Sequence, residues 1–155
     1  MDISTRITAP IVKMVHAIDS LDWQGVRHTF ADVIDVDYTS LTGGEPETIP
    51  TDLLMERWRS LLPGFEATQH LLGPFGVDTS NELAKVGAHV RGFHYIANAT
   101  GGSVWIVAGH YNFGLVQQAD DWAIAAIQLV VFYQEGNLDL PALAHSRATN
   151  APRKS

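Results

Sequence analysis

The second half of the chain contains four long stretches that read as strands: Thr68 to Val77, Leu83 to Ala97, Val104 to Gln117 and Trp122 to Tyr133. Most alternate apolar and polar residues, the pattern of a strand with one buried face, and turn signals bound each of them. Ser80-Asn81, Gly101-Gly102 and Asp120-Asp121 separate them, and Gly136-Asn137 follows the last. Successive strands joined by such tight turns pair antiparallel, so this half is predicted to form a meander. Strands of this length twist and curl, and the concave face must be covered by another part of the chain.

The first half supplies the cover. Ile7, Ile11, Val15 and Ile18 recur at helical spacing, with Thr8 as a possible cap and Pro10 in a first turn, so the spacing predicts a helix ending near Leu21. Asp19 then lies on its last turn, beside the apolar face. A second helix is expected from Asp22 as cap, with Trp23, Val26 and Phe30 on its inner side. Val33 to Thr39 switches to period two, placing Ile34, Val36 and Tyr38 on one face and Asp35 and Asp37 on the other. Thr42 to Pro50 reads as a loop, and Thr51 as the cap of a third helix with Leu54, Trp58 and Leu61 as its stripe. The predicted class is therefore α+β: three N-terminal helices packed on a strongly curved, mainly antiparallel β-sheet. The predicted organisation is one domain over residues 1–141 and a flexible tail over 142–155.

The 155 residues suit one domain, and 46% of them are apolar, enough for a core without disulfides or metals. The absence of cysteine excludes thiolate metal sites and cysteine nucleophiles. A net charge of -7 disfavours nucleic acid as a partner. MDISTRITAP lacks the pattern of a secretory signal, and the apolar run Trp122 to Tyr133 is too short to span a membrane, so a soluble cytoplasmic protein is expected. Small molecules and other subunits remain as partners. A convex face carrying Phe93, Tyr95 and Ile106 predicts self-association, as a dimer or trimer.

Of the seven histidines, four fall in the predicted sheet: His70, His89, His94 and His110. Alternation puts His94 on the apolar face with Val86, Ala88 and Val90, and His89 on the other. Trp105, Val107, Tyr111, Phe113 and Leu115 share an inward face, which sends His110 and Asn112 outward. The parity of His70 is undecided. No HxH or helical HxxxH pair exists, so no metal is expected; no nucleophile elbow or phosphate loop is present, so no cofactor is expected either.

Acid–base chemistry remains, through Asp19 and His94 with Tyr38 and His70 as further inward polar groups. A carboxylate that accepts the proton of one imidazole nitrogen fixes the tautomer and raises the basicity of the other. The same residues also admit a structural reading: His94 as a core histidine satisfied by a backbone carbonyl, Asp19 as a helix end and Tyr38 as an anchor.

Four segments occur together in order: I18-D19-S20-x-D22-W23, D37-Y38, T68-Q69-H70 and G87-x-H89-V90 leading to His94 and Tyr95. As a set they resemble the scytalone dehydratase branch of the SnoaL-like, nuclear transport factor 2-like superfamily, over about residues 9 to 131. The resemblance implies a cone-shaped fold enclosing a pocket. It implies Asp19 orienting a catalytic His94, His70 as partner in proton transfer, and Tyr38 as a hydroxyl that polarises a substrate carbonyl. Ile18 stands where that family has a second pocket tyrosine, and Phe113 and Leu115 where it has a serine and an asparagine, so the pocket is expected to be more apolar. The expected lining is Trp23, Leu54, Trp58, Val90, Tyr111, Phe113, Leu115, Ile127, Leu129 and Val131. The function expected from the resemblance is dehydration of a cyclic or aromatic hydroxy-carbonyl compound, a small apolar substrate. The alternatives are an isomerase or polyketide cyclase of the same fold, or a non-catalytic binding or assembly module.

Overall fold

The computed structural model describes residues 1–150. Helix α1 (Ile3–Asp19) buries Ile7, Ile11, Met14, Val15 and Ile18 along one side, the stripe expected from the spacing. It begins earlier than predicted, because Asp2 is the cap: its Oδ1 accepts the Thr5 N–H at 3.1 Å. Pro10 lies inside this helix rather than in its first turn, where it is buried and leaves one backbone donor out of the helical ladder. Helix α2 (Trp23–His28) is capped by Asp22 as predicted, with Val26 buried.

Strand β1 (Phe30–Asp37) buries Ile34 and Val36 and exposes Asp35. Two elements that the sequence did not announce follow: a four-residue helix α3 (Thr39–Thr42) and, inside the expected loop Thr42 to Pro50, a short strand β2 (Glu47–Pro50) paired antiparallel with β1. Glycines and prolines hid them, since Pro50 is tolerated at the end of an edge strand. Helix α4 (Thr51–Arg59) follows directly. Thr51 is not its cap; the hydroxyl is buried and donates to the Ala31 carbonyl, tying α4 to β1.

After a 3-10 turn (Leu62–Gly64) come β3 (Ala67–Ser80), β4 (Leu83–Tyr95), β5 (Val104–Gln118) and β6 (Asp121–Gly136), the antiparallel meander expected from sequence. The sheet order is β2-β1-β6-β5-β4-β3, with β1 parallel to β6 as its one parallel pair. Register shifts at Leu72/Phe75, Ala108/Gly109 and Gly114/Leu115 mark bulges, which bend long strands. The helices lie over the concave face, and the core fills the space between.

The predicted tail over residues 142–155 is corrected by α5 (Leu140–Asn150). Its buried side chains among the described residues are Leu140 and Ala144, four apart, which is too weak a stripe to stand out in a polar sequence; His145 Nδ1 adds a hydrogen bond to the Ser60 carbonyl at 2.9 Å. Gly64 allows the docking: a Cβ there would lie 1.7 Å from the Ala144 carbonyl oxygen. The remainder of the predicted tail, residues 151–155, lies outside the described residues. No helix among the described residues is long and apolar enough to cross a membrane.

Candidate active site

A cavity of about 590 Å³ opens between the concave sheet and helices α1, α3 and α4. Six of the expected lining residues are there: Leu54, Trp58, Val90, Tyr111, Ile127 and Leu129. Trp23, Phe113, Leu115 and Val131 are not. Phe113 and Leu115 do face inward, but they sit toward the Gln118 end of β5, cross-strand from Val86 and Ala84, away from this cavity. Trp23 and Val131 are half-buried at the margin of that core.

The polar groups gather at one end. Asp19 is the last residue of α1 and meets the inward face of the edge strand β3, on which Thr68 and His70 stand two residues apart. The Thr68 hydroxyl donates to Asp19 Oδ1 at 2.9 Å, and the His70 backbone N–H donates to Oδ2 at 2.9 Å. His70 Nδ1 lies 2.6 Å from Oδ1. Burial would raise the Asp19 carboxyl, yet the hydrogen bonds and charge of His70, together with Thr68, outweigh it and leave the group below its ordinary value. A carboxylate can only accept, so Nδ1 carries a proton, and Nε2 is the ring nitrogen left free of Asp19. His70 lines the cavity and Asp19 stands behind it.

The partner of Asp19 is therefore His70, not His94. The expected Asp19–His94 contact fails because His94 is cross-strand from Thr68 and turns its Nδ1 the other way, donating to the Trp105 carbonyl at 3.1 Å. His94 is buried between Phe65 and Trp105, with ring centroids at 4.9 and 4.3 Å. Burial, then the repulsion between two protonated imidazoles with His70 so close, pushes its pKa down to about 4, against the weaker opposing pull of the Trp105 carbonyl and Asp19. It is a neutral imidazole whose Nε2 is also an acceptor. The structural reading of His94 was thus right about its backbone partner, although the side chain lines the cavity as well.

The two imidazoles meet edge to face with centroids 5.8 Å apart. Gly92 makes room for them: a Cβ there would lie 3.2 Å from His94 Cε1 and 3.5 Å from His70 Cδ2. Sequence reasoning missed Gly92 because its role needs the β3–β4 register, in which it pairs with His70. Thr68 is another missed contributor, since period two along β3 could have placed it beside His70 had the parity of that strand been fixed.

Tyr38 lies one residue past β1, opens α3 and faces the cavity. Its hydroxyl is 3.4 Å from that of Tyr111. Burial raises both phenols above their ordinary value, Tyr38 the more strongly, so both stay protonated. At the mouth, Arg57 makes a two-pronged ion pair with Glu47, at 2.6 and 3.2 Å. Among the described residues no three metal-binding side chains converge.

The model of the SnoaL-like domain matches residues 3–128 of this sequence. The chain belongs to the SnoaL-like domain family. No curated protein matches this SnoaL-like domain by sequence. Among solved structures it is similar to the Kfla4162 protein from Kribbella flavida, at 25% identity and TM-score 0.81, with 94% of this chain and 96% of that one covered. It is similar to a protein from Novosphingobium aromaticivorans provisionally named a scytalone dehydratase, at 16% identity and TM-score 0.75, with 86% of each chain covered. A third similar fold is a hexachlorocyclohexane dehydrochlorinase from Novosphingobium barchaimii, at 11% identity and TM-score 0.70, covering 86% of this chain and 88% of that one. The α+β cone of the nuclear transport factor 2-like superfamily is thus the fold of this SnoaL-like domain.

Proposed function

We propose that the protein is a cofactor-independent lyase that removes water from a small cyclic or aromatic hydroxy-carbonyl compound. The carrying observation is the Asp19–His70 pair at the wall of an apolar cavity. His70 Nε2 takes the proton next to the substrate carbonyl, and the C–H electron pair moves toward the carbonyl to form an enolate. The Tyr38 hydroxyl, held protonated by burial, donates to the developing oxygen charge. The enolate then collapses, the neighbouring C–O bond breaks, and His70 returns its proton to the departing hydroxide, which leaves as water. Asp19 stabilises the imidazolium formed in between, and His94 Nε2 accepts a hydrogen bond from the hydroxyl before it leaves. The names of two similar folds, a dehydratase and a dehydrochlorinase, both denote eliminations and support this choice over isomerisation.

The test is to incubate the protein with a panel of cyclic β-hydroxy ketones and follow loss of one water by mass. The reading expects turnover in the wild type and almost none in His70→Gln and Asp19→Asn. Compounds that bind, by calorimetry, but are never dehydrated would sink it, as would a His70→Gln variant as active as the parent. We further propose a cytoplasmic protein that forms a dimer or trimer covering outer-face residues such as Phe132 and Tyr133; sedimentation velocity tests the copy number.

A further inference from the structure

We propose that Tyr111 is a second oxyanion-binding residue, which together with Tyr38 forms a two-hydroxyl site for the substrate's carbonyl oxygen. The inference rests on the elimination chemistry above and assigns Tyr111 a role beyond that of an apolar wall.

Tyr111 lies on the inner face of β5, cross-strand from Ala88 on one side and Leu129 on the other. Tyr38 reaches it across β6, from the β1–α3 junction, and the rings meet edge to face with centroids 6.5 Å apart. That packing brings the hydroxyls to 3.4 Å. Two buried hydroxyls in such an arrangement share one proton between them and keep the other: whichever phenol donates, its neighbour still has an O–H without a partner among the described residues. Such a donor, facing an apolar cavity, is met by water or by a ligand oxygen, and a ligand that displaces the water has to supply the acceptor.

Three further observations point the same way. Both tyrosines line the cavity that His70 and His94 line, so the free donor and the proposed base face one volume. Burial keeps both phenols protonated, so each remains a donor at neutral pH. The Asp19 charge adds to the rise at Tyr111, which further keeps this hydroxyl a donor. As the enolate forms, negative charge builds on oxygen while positive charge builds on His70, and the two hydroxyls stabilise the former without giving up a proton.

The probe is 4-nitrophenol, whose absorption reports its ionisation. Bound in the cavity, it passes its proton to His70 Nε2 and leaves the phenolate oxygen on the tyrosine hydroxyls. The wild type is expected to bind it largely as the anion. Tyr111→Phe is expected to bind it with the anionic fraction reduced relative to the neutral form by about 10-fold or more. Binding of toluene, which asks nothing of a hydroxyl, stays the same and reports that the cavity is intact. A Tyr111→Phe protein that ionises 4-nitrophenol as well as the parent overturns the inference, and so does a wild type that binds the probe only in neutral form or not at all. His70→Gln separates this from the elimination reading. If His70→Gln abolishes both ionisation and dehydration while Tyr111→Phe changes neither, the base assignment stands and the oxyanion role of Tyr111 falls. If His70→Gln dehydrates normally, the elimination reading falls, and Tyr111 is still judged by the probe.

Discussion

Two histidines five positions apart on β4 live on opposite faces of one sheet. His94, on the concave side, is buried against Phe65 and Trp105, gives its Nδ1 proton to a backbone carbonyl and is kept neutral. His89, on the convex side, is exposed and stands across from His110, with ring centroids 5.3 Å apart and Phe132 at 6.0 Å. The residue type is the same and the strand is the same. The difference lies in what the sheet curves around: the concave face holds fixed partners at fixed distances, and the convex face holds side chains that water can reach. Chemistry in this fold is a property of the face, and the following experiments compare substitutions across the sheet.

The largest contrast is expected in turnover. His70→Gln removes the proposed base and should lower dehydration by about 10²–10⁴-fold, the usual contribution of a positioned acid or base. His89→Gln, on the other side of the sheet, should leave the rate unchanged. Steady-state kinetics on one responsive hydroxy ketone decides it, and equal losses in the two variants would break the distinction between the faces.

Much of this layout was legible in the sequence because period two is an unambiguous code wherever one face of a strand is apolar. Val86, Ala88 and Val90 placed His94 inside without any structure, and Asp22 announced α2 by its capping chemistry. His70 was not legible, because Leu71 and Leu72 are both apolar and give β3 no parity; in the structure Leu71 is exposed and Leu72 faces in. The pairing of Asp19 was misread for a related reason. It depends on how the end of α1 meets an edge strand 49 residues later, and no local pattern encodes that meeting. Helix α5 and β2 escaped because their stability comes from tertiary contacts: a two-residue anchor over Gly64 in one case and four residues paired to β1 in the other.

Packing should show the next largest contrast. Leu115 is fully enclosed between β4 and β6 on the inner face, whereas Leu71 is 52% exposed on the outer face of β3. Leu115→Ala removes buried methyl groups and leaves a cavity, a loss of about 2–5 kcal/mol in unfolding free energy. Leu71→Ala should fall within about 0.5 kcal/mol of the parent, as surface substitutions do. Urea melts give both numbers. A large loss at Leu71 would mean that the outer face is covered in solution, and would turn the comparison into support for a subunit interface there.

The smallest of these contrasts, and the one that isolates electrostatics from packing, is the pH dependence of stability. The pKa of His94 falls from an ordinary 6.5 to about 4 in the folded protein, chiefly through burial. Between those values the unfolded chain binds a proton that the native state refuses, so stability rises with pH across the window. The contribution is fully present above about pH 6.5 and is lost as pH falls toward 4, a change of about 3 kcal/mol at one site. Asp19, whose carboxyl is lowered, loses its own contribution only as pH falls through the carboxylate range, below most of that window. Unfolding free energies at several values between pH 4 and 7 should therefore slope upward in the wild type and more gently in His94→Gln, which keeps a donor for the Trp105 carbonyl. His89→Gln, made to the same residue type on the exposed face, should keep the parent's slope. If it flattens the curve as much as His94→Gln does, burial on the concave face is not what sets the titration, and the two sides of the sheet are electrostatically alike.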